Sequence, residues 1–173
     1  MTPAERSDRG NFYSLTGEII REWVKLEQLL SLWLTDLLGI DEFRSRVLWN
    51  SYGDLRSKLN LLKTLVRNFA AESLWEEARR IFANSEKIAE DRFILAHTFG
   101  DVDAAASKLT FFSDKVDADF IVNFVGEKAV GTASLRSWLR DIGECQNSIR
   151  EFKGKLGSQV HEKSLVQRRQ SSS

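Results

Sequence analysis

The sequence predicts an all-α protein: a four-to-five-helix up-down bundle with a small β-hairpin inserted between the third and fourth long helices. Three observations carry that expectation. Apolar residues recur at helical spacings of three and four over most of positions 12–156. Turn-forming residues interrupt the period at only a few places. One stretch alone, after Gly100, replaces it with short β-branched and aromatic runs.

The first ten residues are polar, hold the only proline, and read as part of a mobile arm over 1–11. A long helix is predicted from about Phe12 to Leu38, with Ile19, Trp23, Leu26, Leu30, Trp33 and Leu37 as a continuous seam. Ile20, Val24, Leu34 and Leu38 widen this face beyond a two-helix seam, so it must pack against several neighbours or a second copy. Gly39 is the expected stop. Asp41 is placed to cap a short helix through Leu48. WNSYGD (49–54) then breaks the period, and a second long helix follows to Phe69 on Leu55, Leu59, Leu62, Leu65, Val66 and Phe69. Lys58 falls inside that apolar arc, and its expected pose lays the stem on apolar surface with the head in water.

Glu72 or Ser73 opens the third long helix, which carries Trp75, Ala78, Ile81, Phe82, Ile88, Ala89, Phe93 and Leu95 on one arc. Ser85 and Arg92 sit near the middle of the same arc. LTFF and DFIVNFV are the strand candidates for the hairpin. The last helix, capped by Thr132 or Ser134, runs through Leu135, Trp138, Ile142, Cys145, Ile149, Phe152 and Leu156. The polar, basic residues 157–173 are expected to be disordered.

Bulk properties bound the function. A chain of 173 residues suits one helical domain, here 12–156, with a proper core. Lys+Arg and Asp+Glu balance at 25 each, so no global positive field recruits nucleic acid, and any such site must be a local patch. The single cysteine, Cys145, excludes an internal disulfide and reads as a small buried hydrophobe. The charged opening lacks the apolar core of a secretory signal, and no apolar run is long enough for a bilayer. The expected location is cytoplasmic, without membrane association. Two wide apolar faces and five tryptophans exceed what a bare bundle of this size hides, which predicts a homodimer. No metal or cofactor is expected, because the chain shows no Gly-rich phosphate loop and no H-x3-H pair.

The chemistry concentrates at Arg92 and His97. A guanidinium in an apolar arc needs a carboxylate partner or an anionic ligand. The carboxylates at hand for the first option are Glu18, Glu22 and Glu27. For the second, the R-x4-H spacing ends a helix. The stretch DRFILAHTFGD resembles the Arg-polar-x-x-Ala-His-Gly helix end of the HEPN superfamily, supported by the Leu/Lys-rich SKLNLLKTL and by a last helix after a short insertion. The resemblance implies a metal-independent endoribonuclease, or an RNA-binding protein, of a toxin–antitoxin or defence system. Such proteins work as dimers, alongside an antitoxin or other protein partner.

Carried over, His97 is the acid/base at the ribose 2′-hydroxyl or the leaving oxygen, and Arg92 holds the scissile phosphate. Ser85 joins Arg92 as a substrate-binding candidate. Residues five apart on a helix lie roughly 140° from one another. The two reach one phosphate only if the helix loosens near His97 or a second protomer contributes. The chain departs from the family pattern in two places, with Phe93 where a polar residue is common and Thr98 where glycine often stands. The competing reading is a non-catalytic helical dimer that serves as an interaction or scaffold module.

Overall fold

A computed structural model describes the backbone of residues 3–97, 99–103, 108–116 and 122–170, and the side chains of 10–92, 95 and 130–159. The described chain is mostly helical, in keeping with the all-α expectation. The helices are α1 (Pro3–Ser31), α2 (Trp33–Leu38), α3 (Glu42–Asn50), α4 (Leu55–Phe69), α5 (Glu72–His97) and α6 (Thr132–Gln170). No described helix is long and apolar enough to cross a membrane. The chain divides into two compact units, one of residues 24–87 with 144–173 and one of residues 1–23 with 88–143.

The first unit is built on Trp33. Its ring lies 4.4 Å from that of Phe152 on α6 and meets Phe82 of α5 edge-on at 5.6 Å. Its indole Nε1 donates to the backbone oxygen of Ile149 at 3.3 Å. Leu26, Leu30, Leu34, Leu59, Leu62, Ile149 and Leu156 are fully enclosed in the same unit. Each such side chain contributes about 1.5–3 kcal/mol relative to exposure. Polar residues tie the helices at the rim. Lys63 reaches Glu86 at 2.7 Å, and Lys155 bonds both oxygens of Glu77 at 2.8 Å. Lys153 Nζ lies 3.0 Å from Asp36 Oδ2, an ion pair by distance although that oxygen lacks hydrogen-bond geometry.

The expected helix from Phe12 to Leu38 is broken at Leu32, and side-chain chemistry explains the break. The hydroxyl of Ser45 donates to the Ser31 carbonyl. The Thr35 amide turns instead to the carbonyl of Leu32, at 3.2 Å. The Ser31 and Thr35 hydroxyls bond back to Gln28 O and Leu32 O, a pattern that bends helices. Gly39 stops α2 with a φ of 65°, the left-handed conformation that glycine adopts without strain. Asp41 and Asp54 cap α3 and α4 by accepting from the amides of Arg44 and Ser57, both at 2.8 Å.

The second unit holds the start of α1, the end of α5, the start of α6 and three strands. These are β1 (Phe99–Asp103), β2 (Lys108–Val116) and β3 (Val122–Gly131), paired antiparallel in the order β1-β2-β3. Phe99 pairs with Phe112 and Leu109 with Val130, and the β2–β3 register shifts between Phe112 and Asp114. Beyond the strands expected from LTFF and DFIVNFV, residues 99–103 form a third; residues 119–121 of DFIVNFV lie outside the described residues. Phe12, Ile19, Trp23, Leu135 and Ile142 are buried.

Both chain ends are more helical than expected. Helix α1 starts at Pro3 rather than near Phe12, because proline's fixed φ suits a first helical turn and Ala4, Glu5 and Arg6 are good helix formers. Helix α6 passes Gly157 and continues to Gln170. Buried Leu156 anchors it, and Gln159 Oε1 accepts from the amide of Ala71 at 3.3 Å, next to the N-terminus of α5. Residues 171–173 lie outside the described residues.

The Asp54 cap is sensitive to acid. The amide and then the hydroxyl of Ser57 hold its carboxyl below the ordinary aspartate range. A lowered value stabilises the fold above the unfolded pKa of about 3.9 and loses that contribution as pH falls through the folded value. Thermal melts between neutral and acid pH should show the parent losing more stability than Asp54→Asn, whose amide oxygen caps without titrating. Parallel pH profiles would refute this cap.

Candidate functional site

Helix α5 carries all three residues singled out for chemistry. Ser85 is fully buried in the first unit, where its hydroxyl donates to Ile81 O at 2.9 Å and lies 3.6 Å from Cys145 Sγ. A hydroxyl bonded back to the preceding turn satisfies itself inside the core. Ser85 is thus enclosed rather than open to a substrate. Burial pushes the Cys145 thiol up from its ordinary value, against the Ser85 contact that lowers it, and keeps the thiol neutral and inert.

Arg92 belongs to the second unit. The residue is half-buried, and its Nε is cut off from solvent with no hydrogen-bond partner among the described residues. Buried N–H groups are nearly always satisfied. Arg21 contacts Glu18 at 3.5 Å and Glu22 at 3.3 Å, while Glu27 bonds Lys58 at 2.8 Å. His97 is the last residue of α5. Its side chain, with those of Phe93 and Thr98, lies outside the described residues. The backbone is helical through His97.

One polar cluster escaped the sequence reading. The Lys58 head does not reach for water. It bonds Glu27 Oε2 at 2.8 Å and lies 5.3 Å from the centre of the Trp49 ring, with its side chain 12% exposed. Trp49 Nε1 donates to the same carboxylate oxygen at 3.3 Å. The available signal was a lysine in the apolar arc of one helix and a glutamate beside the seam of another. Next to this cluster, between α1 and α3, opens a cavity of about 310 Å³ lined by Val24, Gln28, Ser31, Arg46, Trp49 and Asn50. At the α4–α5 turn a second cavity, of about 630 Å³, holds Arg67 stacked 4.4 Å from the Trp75 ring.

Comparison of the chain with family models, with curated proteins and with solved structures finds no match.

The Glu27–Lys58 pair should register in stability. Lys58→Met keeps the stem and takes the ammonium away from the Glu27 carboxylate, a loss of about 1.5–3 kcal/mol for a charged hydrogen bond. Adding Glu27→Leu should recover most of it, since replacing both partners removes the stranded charge. Denaturant midpoints of the parent, the single and the double variant decide this. A single variant within about 0.5 kcal/mol of the parent would return Lys58 to an ordinary surface role.

Proposed function

We propose that this chain is a HEPN-like protein that binds RNA and cleaves it without metal, as a homodimer in the cytoplasm, within a toxin–antitoxin or defence system. One observation supports it above the others: the buried Nε of Arg92, with no hydrogen-bond partner among the described residues, on the helix that ends in His97. The resemblance of DRFILAHTFGD to the superfamily's helix end gives that observation its chemical sense. The up-down helix order and the hairpin-type insertion before α6 belong to the same proposal.

In this reading Arg92 donates N–H groups to the non-bridging oxygens of the scissile phosphate and offsets charge that builds up in the transition state. His97, of the residue type that exchanges protons near neutral pH, accepts the ribose 2′-hydroxyl proton or protonates the leaving 5′-oxygen. The 2′-oxygen attacks phosphorus, the bond to the 5′-oxygen breaks, and a 2′,3′-cyclic phosphate and a 5′-hydroxyl result. Arg92 and His97 diverge on a regular helix, so each composite site takes the arginine of one protomer and the histidine of the other. An antitoxin or other protein partner would control access to that cleft.

Phe93 favours a second reading. An apolar side chain after the arginine neither polarises water nor orients a phosphate, which suits a non-catalytic dimer acting as an interaction or scaffold module.

Purified protein incubated with mixed cellular RNA in EDTA distinguishes the two. The enzyme reading expects products ending in 2′,3′-cyclic phosphate from the parent. It also expects a loss of about 10²–10⁴-fold in His97→Ala, the range for one general acid–base group. Cleavage that persists in a folded His97→Ala variant would remove His97 from the chemistry. No cleavage by the parent would leave the interaction module.

A further inference from the structure

Hydrogen-bonding side chains make most of the wall of the α1–α3 cavity of about 310 Å³. Ser31 and Trp49 are its buried members, 1% and 3% exposed. The Ser31 hydroxyl donates its proton to Gln28 O at 2.7 Å, and its oxygen keeps lone pairs that can accept from a guest. The side-chain amides of Gln28 and Asn50 make no hydrogen bond among the described residues. Each offers two N–H donors and a carbonyl acceptor.

The charges on that wall are answered within the protein. Glu27 Oε2 pairs with the Lys58 ammonium at 2.8 Å, and Arg46 is bonded to Glu42 one turn away. A charged guest meets no uncompensated opposite charge there, so its own desolvation goes unrepaid. A purely apolar guest strips water from two amides and a hydroxyl and returns no bond. A neutral guest dense in hydroxyl groups suffers neither cost, because each hydroxyl both donates and accepts. Val24 and the Trp49 indole give its ring carbons a surface to lie against. An apolar cavity of about 150 Å³ already holds a benzene ring, so this one has room for a six-membered ring with its hydroxyls.

We propose that the α1–α3 cavity is a binding site for a neutral polyhydroxyl ligand the size of one sugar ring. The amides of Gln28 and Asn50 bond its hydroxyls, Ser31 accepts from another, and Trp49 with Val24 covers the ring carbons. The Glu27–Lys58 pair fixes the indole, since Trp49 Nε1 donates to the same carboxylate oxygen at 3.3 Å. The site lies wholly in the unit of residues 24–87 and 144–173, and it needs none of the chemistry of Arg92 and His97.

Titration of the ¹⁵N-labelled full chain with D-glucose, D-galactose, D-mannose and D-ribose tests it. The reporter is the Trp49 Nε1–H signal, assigned by its absence in Trp49→Phe. At least one sugar should move that signal saturably, with a Kd of about millimolar or below. Replacing both amides, Gln28→Ala with Asn50→Ala, should weaken the response about tenfold or more. Phe43→Ala, 76% exposed on α3 and outside the cavity wall, should bind as the parent does. Circular dichroism checks that these exposed substitutions leave the helices intact. Acetate, tetramethylammonium and benzyl alcohol, as anionic, cationic and apolar probes, should leave the signal in place. A Trp49 signal unmoved by every sugar overturns the proposal. So does a sugar response that survives in the folded double variant, or a charged or apolar probe that binds more tightly than every sugar.

Discussion

The unit of residues 24–87 and 144–173 depends on the enclosure of one indole. Trp33 has no exposed surface, so its N–H must find an acceptor inside the protein. It finds the Ile149 carbonyl on α6. That single donor ties α2 to one turn of α6, and the rings of Phe82 and Phe152 fix the approach of α5 and α6 around it. Removing such a ring from a core costs about 3–5 kcal/mol. The bend at Leu32 serves the same end. A straight helix would carry Trp33 on at the angle set by the preceding turns, and the Ser45 bond to Ser31 O redirects it.

The seams were legible because periodicity reports burial directly. Ile19, Trp23, Leu26, Leu30 and Trp33 in α1–α2 are buried, as are Leu135, Ile142, Cys145, Ile149, Phe152 and Leu156 in α6. Caps were legible too, since Asp41 and Gly39 act through local backbone geometry. Events decided at a distance were not. The break after Ser31 needs a hydroxyl fourteen residues downstream. Helix α6 runs past Gly157 because Leu156 is buried and Gln159 meets Ala71, neither of which the polar composition of the tail announces. The Lys58 position in an apolar arc was visible, but its carboxylate partner lies on another helix.

The candidate site divides the same way. Arg92 was visible as a cation out of place in its arc, and its unsatisfied Nε gives that anomaly a physical form. Ser85 looked equally out of place. Its hydroxyl, however, is satisfied by the preceding turn, an economy open to serine and closed to a guanidinium. The α3 surface was not legible. Phe43 and Val47 share one short helix with buried Ser45 and Trp49, and only the packed structure shows which side faces solvent.

The central claim is that the Arg92 Nε–H waits for a phosphate oxygen, and nuclear magnetic resonance reads that group directly. In ¹⁵N-labelled protein, with the Arg92 Nε–H signal assigned by its absence in Arg92→Lys, a short 2′-O-methyl RNA supplies phosphates without being cleaved. A hydrogen bond to phosphate should move the Arg92 Nε–H proton downfield and slow its exchange with water. An Nε–H signal that stays unchanged at saturating RNA, or RNA that does not bind, would contradict the claim.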